Sequence, residues 1–423
     1  MTNLSKFYQK TWMQRLQALM DQQLISVEQR QLLEKSATDP AVGDQQIENY
    51  LTHYGLPEGL AFHYLIDQRR YLVPMVTEEP SVIAASSHGA AIVEKSGGFY
   101  TKVTDHLLWG QIVFEQVADA EKLKSLLEQQ QEKLLQIANQ AHPSLQQRGG
   151  GARYLRVRIL APDLVSLDLA IDTQQAMGAN MVNSMLEAVA DYLRGQVSTP
   201  VLLSVLSNLA DQALATAVCR IPVELLARPQ ITGQQVAQKM AAASRLAQLD
   251  PYRAATHNKG IMNGVDAVAI AMGNDWRAIE SAAHAFAVKK GNYRGLSQWQ
   301  LKSDESVLEG TLTLPLPVGF VGGSTKIVPL VQLNHHLAAI KSVGELEKVM
   351  VSVGLAQNLA ALQALVSEGI QQGHMRLQLR ATVLAAGAQP AEVATIVTKM
   401  QQLQRTDLAT AQNLLAKEHE GEH

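Results

Sequence analysis

Tyr154-Leu155-Arg156-Val157-Arg158-Ile159-Leu160, then Ala161-Pro162-Asp163, then Val165-Ser166-Leu167-Asp168-Leu169-Ala170-Ile171: the reading of this stretch decides the fold class. Two runs that alternate with period two flank a short turn, which is the pattern of an antiparallel hairpin. Val165, Leu167, Leu169 and Ile171 face one way, while Ser166, Asp168 and Ala170 face the other. An apolar sheet face must be covered, and the flanking sequence supplies helices to do so. Upstream, Ala118 to Ala141 reads as one amphipathic helix with Leu123, Leu126, Leu127, Leu134 and Ile137 on one side, and Gly149-Gly150-Gly151 ends the link to the hairpin. Downstream, a helix is expected over Ala179 to Leu193. Residues 107–207 therefore read as an inserted α+β domain.

The rest of the chain is helix-rich. Residues 1–106 and 208–369 make the two parts of a larger domain, and residues 370–423 a C-terminal helical flap set off by Gly369 and Gly373. A helical segment behind a glycine break is suited to act as a lid. Gln14 to Asp21 and Val27 to Lys35 carry apolar residues at helical spacing. Around Glu78 to Gly89 a loop feeds a helix, with Pro80 placed in its first turn. Asn274 or Asp275 caps a helix whose Trp276, Ile279, Ala283 and Phe286 share a face.

Composition excludes several classes. The 423 residues are 47% apolar and 18% charged, which is globular rather than disordered. A net charge of −3, with both signs interspersed, leaves no footprint for nucleic acid. The single cysteine, Cys219, excludes an intramolecular disulfide framework, and its apolar setting predicts a buried, inert thiol. Neither a signal sequence nor ~18 uninterrupted apolar residues can be found, so no membrane span and a cytoplasmic location are expected. Asn334-His335-His336 and the His-containing tail lack metalloenzyme spacing, so no metal is expected.

One segment concentrates chemistry: Asp250-Pro251-Tyr252-Arg253-Ala254-Ala255-Thr256-His257-Asn258-Lys259-Gly260-Ile261-Met262-Asn263-Gly264. It sets a guanidinium, an imidazole, an ammonium and two carboxamides among small residues, without a regular apolar period. Such a run suits presenting polar groups rather than burying them; a plain surface loop is the alternative. Arginine offers a planar fork for a carboxylate, and lysine a compact charge for an oxyanion.

Together with Glu78-Glu79-Pro80-Ser81-Val82, Gln175-Ala176-Met177-Gly178-Ala179-Asn180, Gly273-Asn274-Asp275-Trp276, Val321-Gly322-Gly323, Gly354-Leu355-Ala356-Gln357-Asn358 and Glu368-Gly369-Ile370-Gln371-Gln372-Gly373-His374-Met375, this segment resembles class II 3-hydroxy-3-methylglutaryl-CoA reductase, the soluble bacterial form. The resemblance covers nearly the whole chain. It implies four-electron reduction of hydroxymethylglutaryl-CoA to mevalonate and CoA with two reduced nicotinamides, by a homodimer whose active sites are shared between subunits. It also implies that the insert is a ferredoxin-like nucleotide-binding domain; the insert itself has no G-x-G-x-x-G after a strand.

Residue by residue, the resemblance places Lys259 as the cation beside the oxyanion, Glu79 and Asp275 in a network with it, and His374 as the acid for the departing CoA thiolate. Asp275 is at the same time an ordinary helix cap. Arg253 matches the partner of the substrate carboxylate, with Ser81, Asn208 and Asn263 offering hydrogen bonds. Met177, Gly178, Asn180 and Val321-Gly322-Gly323 match nucleotide-binding positions. Two departures stand out. His142 occupies the place where NADH-using relatives carry an aspartate, and with Arg148 nearby it favours a 2′-phosphate, so NADPH is expected and NADH is the alternative. Gln175 replaces the aspartate of the Asp-Ala-Met-Gly motif, leaving the grip on the cofactor open at that point. Rival readings are NAD-dependent mevalonate oxidation on the same fold and a non-catalytic CoA-ester-binding protein.

Overall fold

The computed structural model describes residue 4 and residues 6–289, 291–367 and 379–420. Contacts divide the chain at Pro57, a division that the reading of 1–106 as one piece does not contain. The N-terminal unit holds helices α1 (Trp12–Asp21), α2 (Val27–Ser36) and α3 (Pro40–Gln46). Thr11 and Ser26 open α1 and α2 with capping boxes, each pairing with a glutamine three residues on. Arg15, 2% exposed, is held by Asp44 and by the carbonyls of Phe7, Tyr8 and Tyr50.

The unit from Glu58 onward begins with β1 (Glu58–Ile66) and β2 (Arg69–Val76), then α4 (Val82–Lys95) and β3 (Tyr100–Val103). Pro80 falls outside α4, because Ser81 takes the cap position in a left-handed conformation at φ 77°. The chain then runs through β4 (Leu107–Phe114), α5 (Ala120–Gln129), α6 (Gln131–Ala141), α7 (Pro143–Gln147), β5 (Gly151–Ala161), β6 (Leu164–Asp172), α8 (Ala179–Arg194) and β7 (Val201–Leu206). These strands form an antiparallel sheet in the order β5-β6-β4-β7. With helices between β4 and β5 and between β6 and β7, this is the βαββαβ, ferredoxin-like arrangement.

The hairpin pairs as its alternation requires, with Leu155 opposite Leu169 and Val157 opposite Leu167. Val165, Leu167, Leu169 and Ile171 are fully buried with Leu127, Leu134, Met185 and Leu186 from the helices. Asp168, on the other face, is also buried (1% exposed) because Arg156 and Arg158 fold over it and Ser166 donates to it at 2.6 Å. The one long helix expected over Ala118–Ala141 is two, broken at Gln130 (φ −92°, ψ 10°). Its apolar stripe survives the break, since Leu123, Leu127 and Leu134 are all buried.

From β8 (Leu214–Pro222) the chain passes into α9 (Gly233–Leu249), α10 (Pro251–Ala271), α11 (Trp276–Phe286), β9 (Val288–Lys289), β10 (Asn292–Tyr293), β11 (Ser297–Leu301), β12 (Val307–Pro315), α12 (Pro329–Leu337) and α13 (Val343–Val366). A second antiparallel sheet has the order β11-β12-β8-β3. Helix α13 packs on it and on α4, α9 and α10. It is apolar all round, as a central core helix must be. Its length and mean hydropathy of 1.6 would suit a membrane span, but 78% of it is buried within the protein. Gly89 brings α4 onto this helix: a Cβ there would sit 2.1 Å from the Ala356 carbonyl oxygen. Cys219 lies in the same core, its thiol pushed up to about 12 by burial, which keeps it protonated and inert. Residues 379–415 build a third, small apolar cluster around Val383, Ile396 and Met400.

Candidate active site

The Asp250–Gly264 segment is neither a loop nor a display of polar groups alone. It opens α10: Asp250 accepts from the N–H groups of Tyr252 and Arg253, and Pro251 takes the first helical position. His257 and Asn258 are buried, at 1% and 0% exposure, and their bonds go to distant segments. Asn258 donates to Tyr293 Oη (3.0 Å) and to the Arg294 carbonyl (2.9 Å), and accepts from Leu296 N–H (2.8 Å). His257 Nε2 meets Ser297 Oγ at 2.6 Å. Polar residues on the inner face replace the apolar ones that a helical period requires, which is why the period fails.

The next residue, Lys259, points outward and pairs with Glu79 Oε2 at 3.0 Å. Their side chains are 62% and 38% exposed, so the pair contributes at most ~1 kcal/mol to folding. Stability does not account for it. Glu79 comes from the β2–α4 loop, whose conformation is set by Ser81; a non-glycine residue at positive φ is strained and held in place by its surroundings. Asn263 lies one helical turn beyond Lys259 and is half-buried. Arg253 is half-buried on the same helix, with its Nε sealed from solvent and without a hydrogen-bond partner, and burial lowers its pKa. Such an orphan donor invites an anion. Asn208 is exposed in the turn between β7 and β8.

Asp275 caps α11, accepting from Arg277 and Ala278 N–H at 3.0 and 3.2 Å and pairing with the Arg277 guanidinium at 3.2 Å. Its polar partners are therefore on its own helix rather than Lys259 and Glu79. Ile279 and Ala283 of α11 are buried as the pattern predicts, but Trp276 is 41% exposed. Behind α11, Asp266 of α10 and Glu280 share a proton. Burial and the neighbouring carboxylate push Asp266 up to about 8, while His284 at 2.6 Å keeps Glu280 charged. His284 in turn meets Tyr293 Oη at 2.7 Å, which leads back to Asn258.

A cavity of about 510 Å³ opens beside Asp275. Met177, Gly178, Asn180, Val321, Gly322 and Gly323 line it, as does Arg277. Gly178 caps α8 in a left-handed conformation (φ 86°), turning the helix N-terminus toward the cavity. A Cβ at Gly319 would come within 2.5 Å of Met177 N, so the two walls approach as closely as backbone allows. A cleft with a helix N-terminus and a guanidinium fits a phosphorylated dinucleotide.

Gln175 has a definite place here. Its carbonyl accepts from Phe320 and Val321 N–H, and its side-chain oxygen accepts from Val343 N–H at 2.8 Å. The main-chain carbonyl joins one wall to the other, and the carboxamide ties this wall to the start of α13, work that needs no charge. His142, half-buried between α6 and α7, and exposed Arg148 stand outside this lining. They border the Gly149–Gly151 turn, where a Cβ at Gly150 would lie 2.8 Å from Gln174 Cγ. His374 lies outside the described residues. Arg277 was not singled out from sequence; only the wall opposite, which the fold brings to it, marks it out. Among the described residues no three His, Cys, Asp or Glu side chains gather as a metal site.

Residues 11–379 match the family model for hydroxymethylglutaryl-coenzyme A reductase. The chain belongs to that family. It is 39% identical over 362 residues to 3-hydroxy-3-methylglutaryl-coenzyme A reductase of Archaeoglobus fulgidus, covering 85% of this chain and 81% of the relative. The solved reductase of Streptococcus pneumoniae is 45% identical with a TM-score of 0.76, over 98% of this chain and 99% of that one. A class II structure from the same organism, described as bound to NADPH in open conformations, is 46% identical with the same TM-score, over 97% of this chain and all (100%) of that one. Like its family, the protein is an oxidoreductase, of mixed helix and sheet architecture.

Proposed function

We propose that the protein reduces 3-hydroxy-3-methylglutaryl-CoA to mevalonate and free CoA, consuming two NADPH and two protons. The observation that carries this reading is the Lys259–Glu79 pair at 3.0 Å, on the helix that also holds Arg253 with an unpartnered guanidinium nitrogen. NADPH bound beside Met177–Asn180 and Val321–Gly323 would supply the hydrides. The rest falls to the chain's own residues.

Arg253 holds the free carboxylate of the hydroxymethylglutaryl group, assisted by Ser81, Asn208 and Asn263. Each reduction builds negative charge on the former carbonyl oxygen, and the Lys259 ammonium, fixed by Glu79, meets that charge without reorganisation. Glu79 relays a proton drawn from solvent toward the same oxygen, and Asp275 orders the wall of the cavity that it lines. Between the two reductions the hemithioacetal collapses to an aldehyde, releasing the thiolate that His374 protonates. His142 and the nearby Arg148 tolerate or bind a 2′-phosphate, which favours NADPH over NADH, while Arg277 meets a phosphate within the cavity.

We infer further that the working unit is a homodimer. In one chain the cavity lining takes in Asp275 but neither Lys259 nor Glu79. Helix α12 also exposes Leu330, Leu333 and Leu337 as one stripe, beside Ile327 at 51% exposure, an apolar surface suited to a second copy. A cytoplasmic setting fits the buried position of α13 and the single inert cysteine. The test is purified protein with hydroxymethylglutaryl-CoA and either nicotinamide, following absorbance and free thiol. Two NADPH oxidised per thiol released is the expected result; tight thioester binding without turnover would refute the reaction.

A further inference from the structure

Behind the proposed substrate site, four buried groups fix one another's protons. Trp299 Nε1, which can only donate, bonds Asn358 Oδ1 at 2.7 Å and so sets the orientation of that carboxamide. Ser297 Oγ lies 2.8 Å from the same oxygen, so the hydroxyl proton must sit between them. The Ser297 oxygen is then the acceptor in its 2.6 Å contact with His257 Nε2, and the imidazole carries its proton there; Asn358 Nδ2 also approaches this nitrogen, but at 3.4 Å it is the much weaker contact. His257 Nδ1 is left as a bare lone pair. It is sealed from solvent and has no partner.

Residues four apart share a helix face, so His257 and Arg253 are neighbours on α10, and the Arg253 charge acts on the imidazole. Arg253 Nε is likewise buried and unpartnered. An orphan donor and an orphan acceptor thus share one helix face. Burial, reinforced by the Arg253 charge, holds the imidazole pKa down to about 4, which keeps it neutral at physiological pH.

We propose that His257 is a positioning residue for substrate recognition: its Nδ1 accepts the Nε–H of Arg253 when a carboxylate occupies the arginine's terminal nitrogens, locking the fork in its binding orientation. This rests on the reading of Arg253 as the substrate-carboxylate partner, and adds the group that aims it. Ser297, Asn358 and Trp299 serve to hold the imidazole in the required tautomer.

Two substitutions separate this role from a purely structural one. His257→Gln keeps a donor near the Nε2 position and loses the Nδ1 acceptor, whereas His257→Asn keeps an acceptor near Nδ1 and loses the bond to Ser297. Steady-state kinetics, calorimetric binding of hydroxymethylglutaryl-CoA and thermal melts are run on the wild type and both variants. His257→Gln should melt near the wild type while its KM and Kd for the thioester rise about tenfold, the scale of one charged hydrogen bond, with KM for NADPH unchanged. His257→Asn should melt lower but keep wild-type thioester affinity. Unchanged thioester affinity in His257→Gln overturns the role of His257 even if His257→Asn does not fold. A wild-type protein that binds no hydroxymethylglutaryl-CoA overturns the reading of the site and this role with it.

Discussion

Gly89→Ala tests whether the Lys259–Glu79 pair, and the activity proposed for it, depends on how closely two helices approach. The added Cβ would lie 2.1 Å from the Ala356 oxygen and 2.8 Å from its carbonyl carbon, whereas ordinary contact begins at 3.4 Å. The obstacle is backbone, with no side chain to swing aside, so α4 must move from α13 by roughly 1 Å. Overpacking of this kind costs about 1–3 kcal/mol, read as a lower midpoint in urea with unchanged slope. Activity should suffer more than stability. Glu79 sits three residues before α4, while Lys259 rides on α10, which packs on the far helix. A shift of about 1 Å between them costs on the order of 100-fold in kcat. Gly260→Ala is the control, because its Cβ meets nothing nearer than Ala361 Cβ at 4.0 Å; it should gain ~0.5–1 kcal/mol from helix propensity. Wild-type stability and kcat in Gly89→Ala would refute the reasoning.

Lys259→Ala should lower kcat by about 100-fold or more while shifting the urea midpoint by less than ~1 kcal/mol, since the pair it breaks is exposed; a large loss of stability would make the lysine structural. His257 has a folded pKa of about 4, below its unfolded value, so the unfolded chain binds more protons between those values. Stability present above pH ~6.5 should therefore fall toward pH 4, by at most about 3 kcal/mol, and His257→Gln should flatten that limb of a pH–denaturation series. Asp266 runs the other way: its pKa is raised to about 8, so the stability it contributes below pH ~4 is lost as pH rises through 8. Asp266→Asn should remove the decline between pH ~4 and 8, and equal slopes in variant and wild type would show that the carboxyl pair does not share a proton. Arg277→Ala should raise KM for NADPH about tenfold and leave KM for the thioester unchanged, the scale expected for one phosphate contact; an unchanged KM for NADPH would remove Arg277 from the cofactor site.

Local signals were readable where a residue's environment lies close in sequence. The β5–β6 hairpin, the start of α8 at Gly178 and the Asp275 cap all depend on neighbours within a few positions. The nature of α10 was not readable in this way. His257 and Asn258 find their partners about 40 residues downstream, at Ser297, Arg294 and Leu296, so their burial leaves no periodic trace. The break at Gln130 was equally silent, because the apolar stripe continues across it. Arg277 escaped notice since a charged residue in a first helical turn looks like any solvated side chain until the wall opposite is known. The site residues could be named only because several motifs match a family in fixed order; spacing alone would have left Lys259 as an exposed lysine.

The insert begins and ends on paired strands: Gly110 of β4 lies opposite Leu206 of β7, and Ser207 N–H bonds the Trp109 carbonyl at 2.8 Å. Its two ends are therefore neighbours, and removing it would leave a gap that a few residues could bridge between β3 and β8, themselves hydrogen-bonded partners. The insert is in this sense a cassette with one covalent point of entry, tied a second time to the larger body where Gln175 bonds Phe320, Val321 and Val343. A replacement for this module must therefore reproduce the Gln175 contacts as well as the strand ends, since those contacts join the two walls of the cavity beside Asp275.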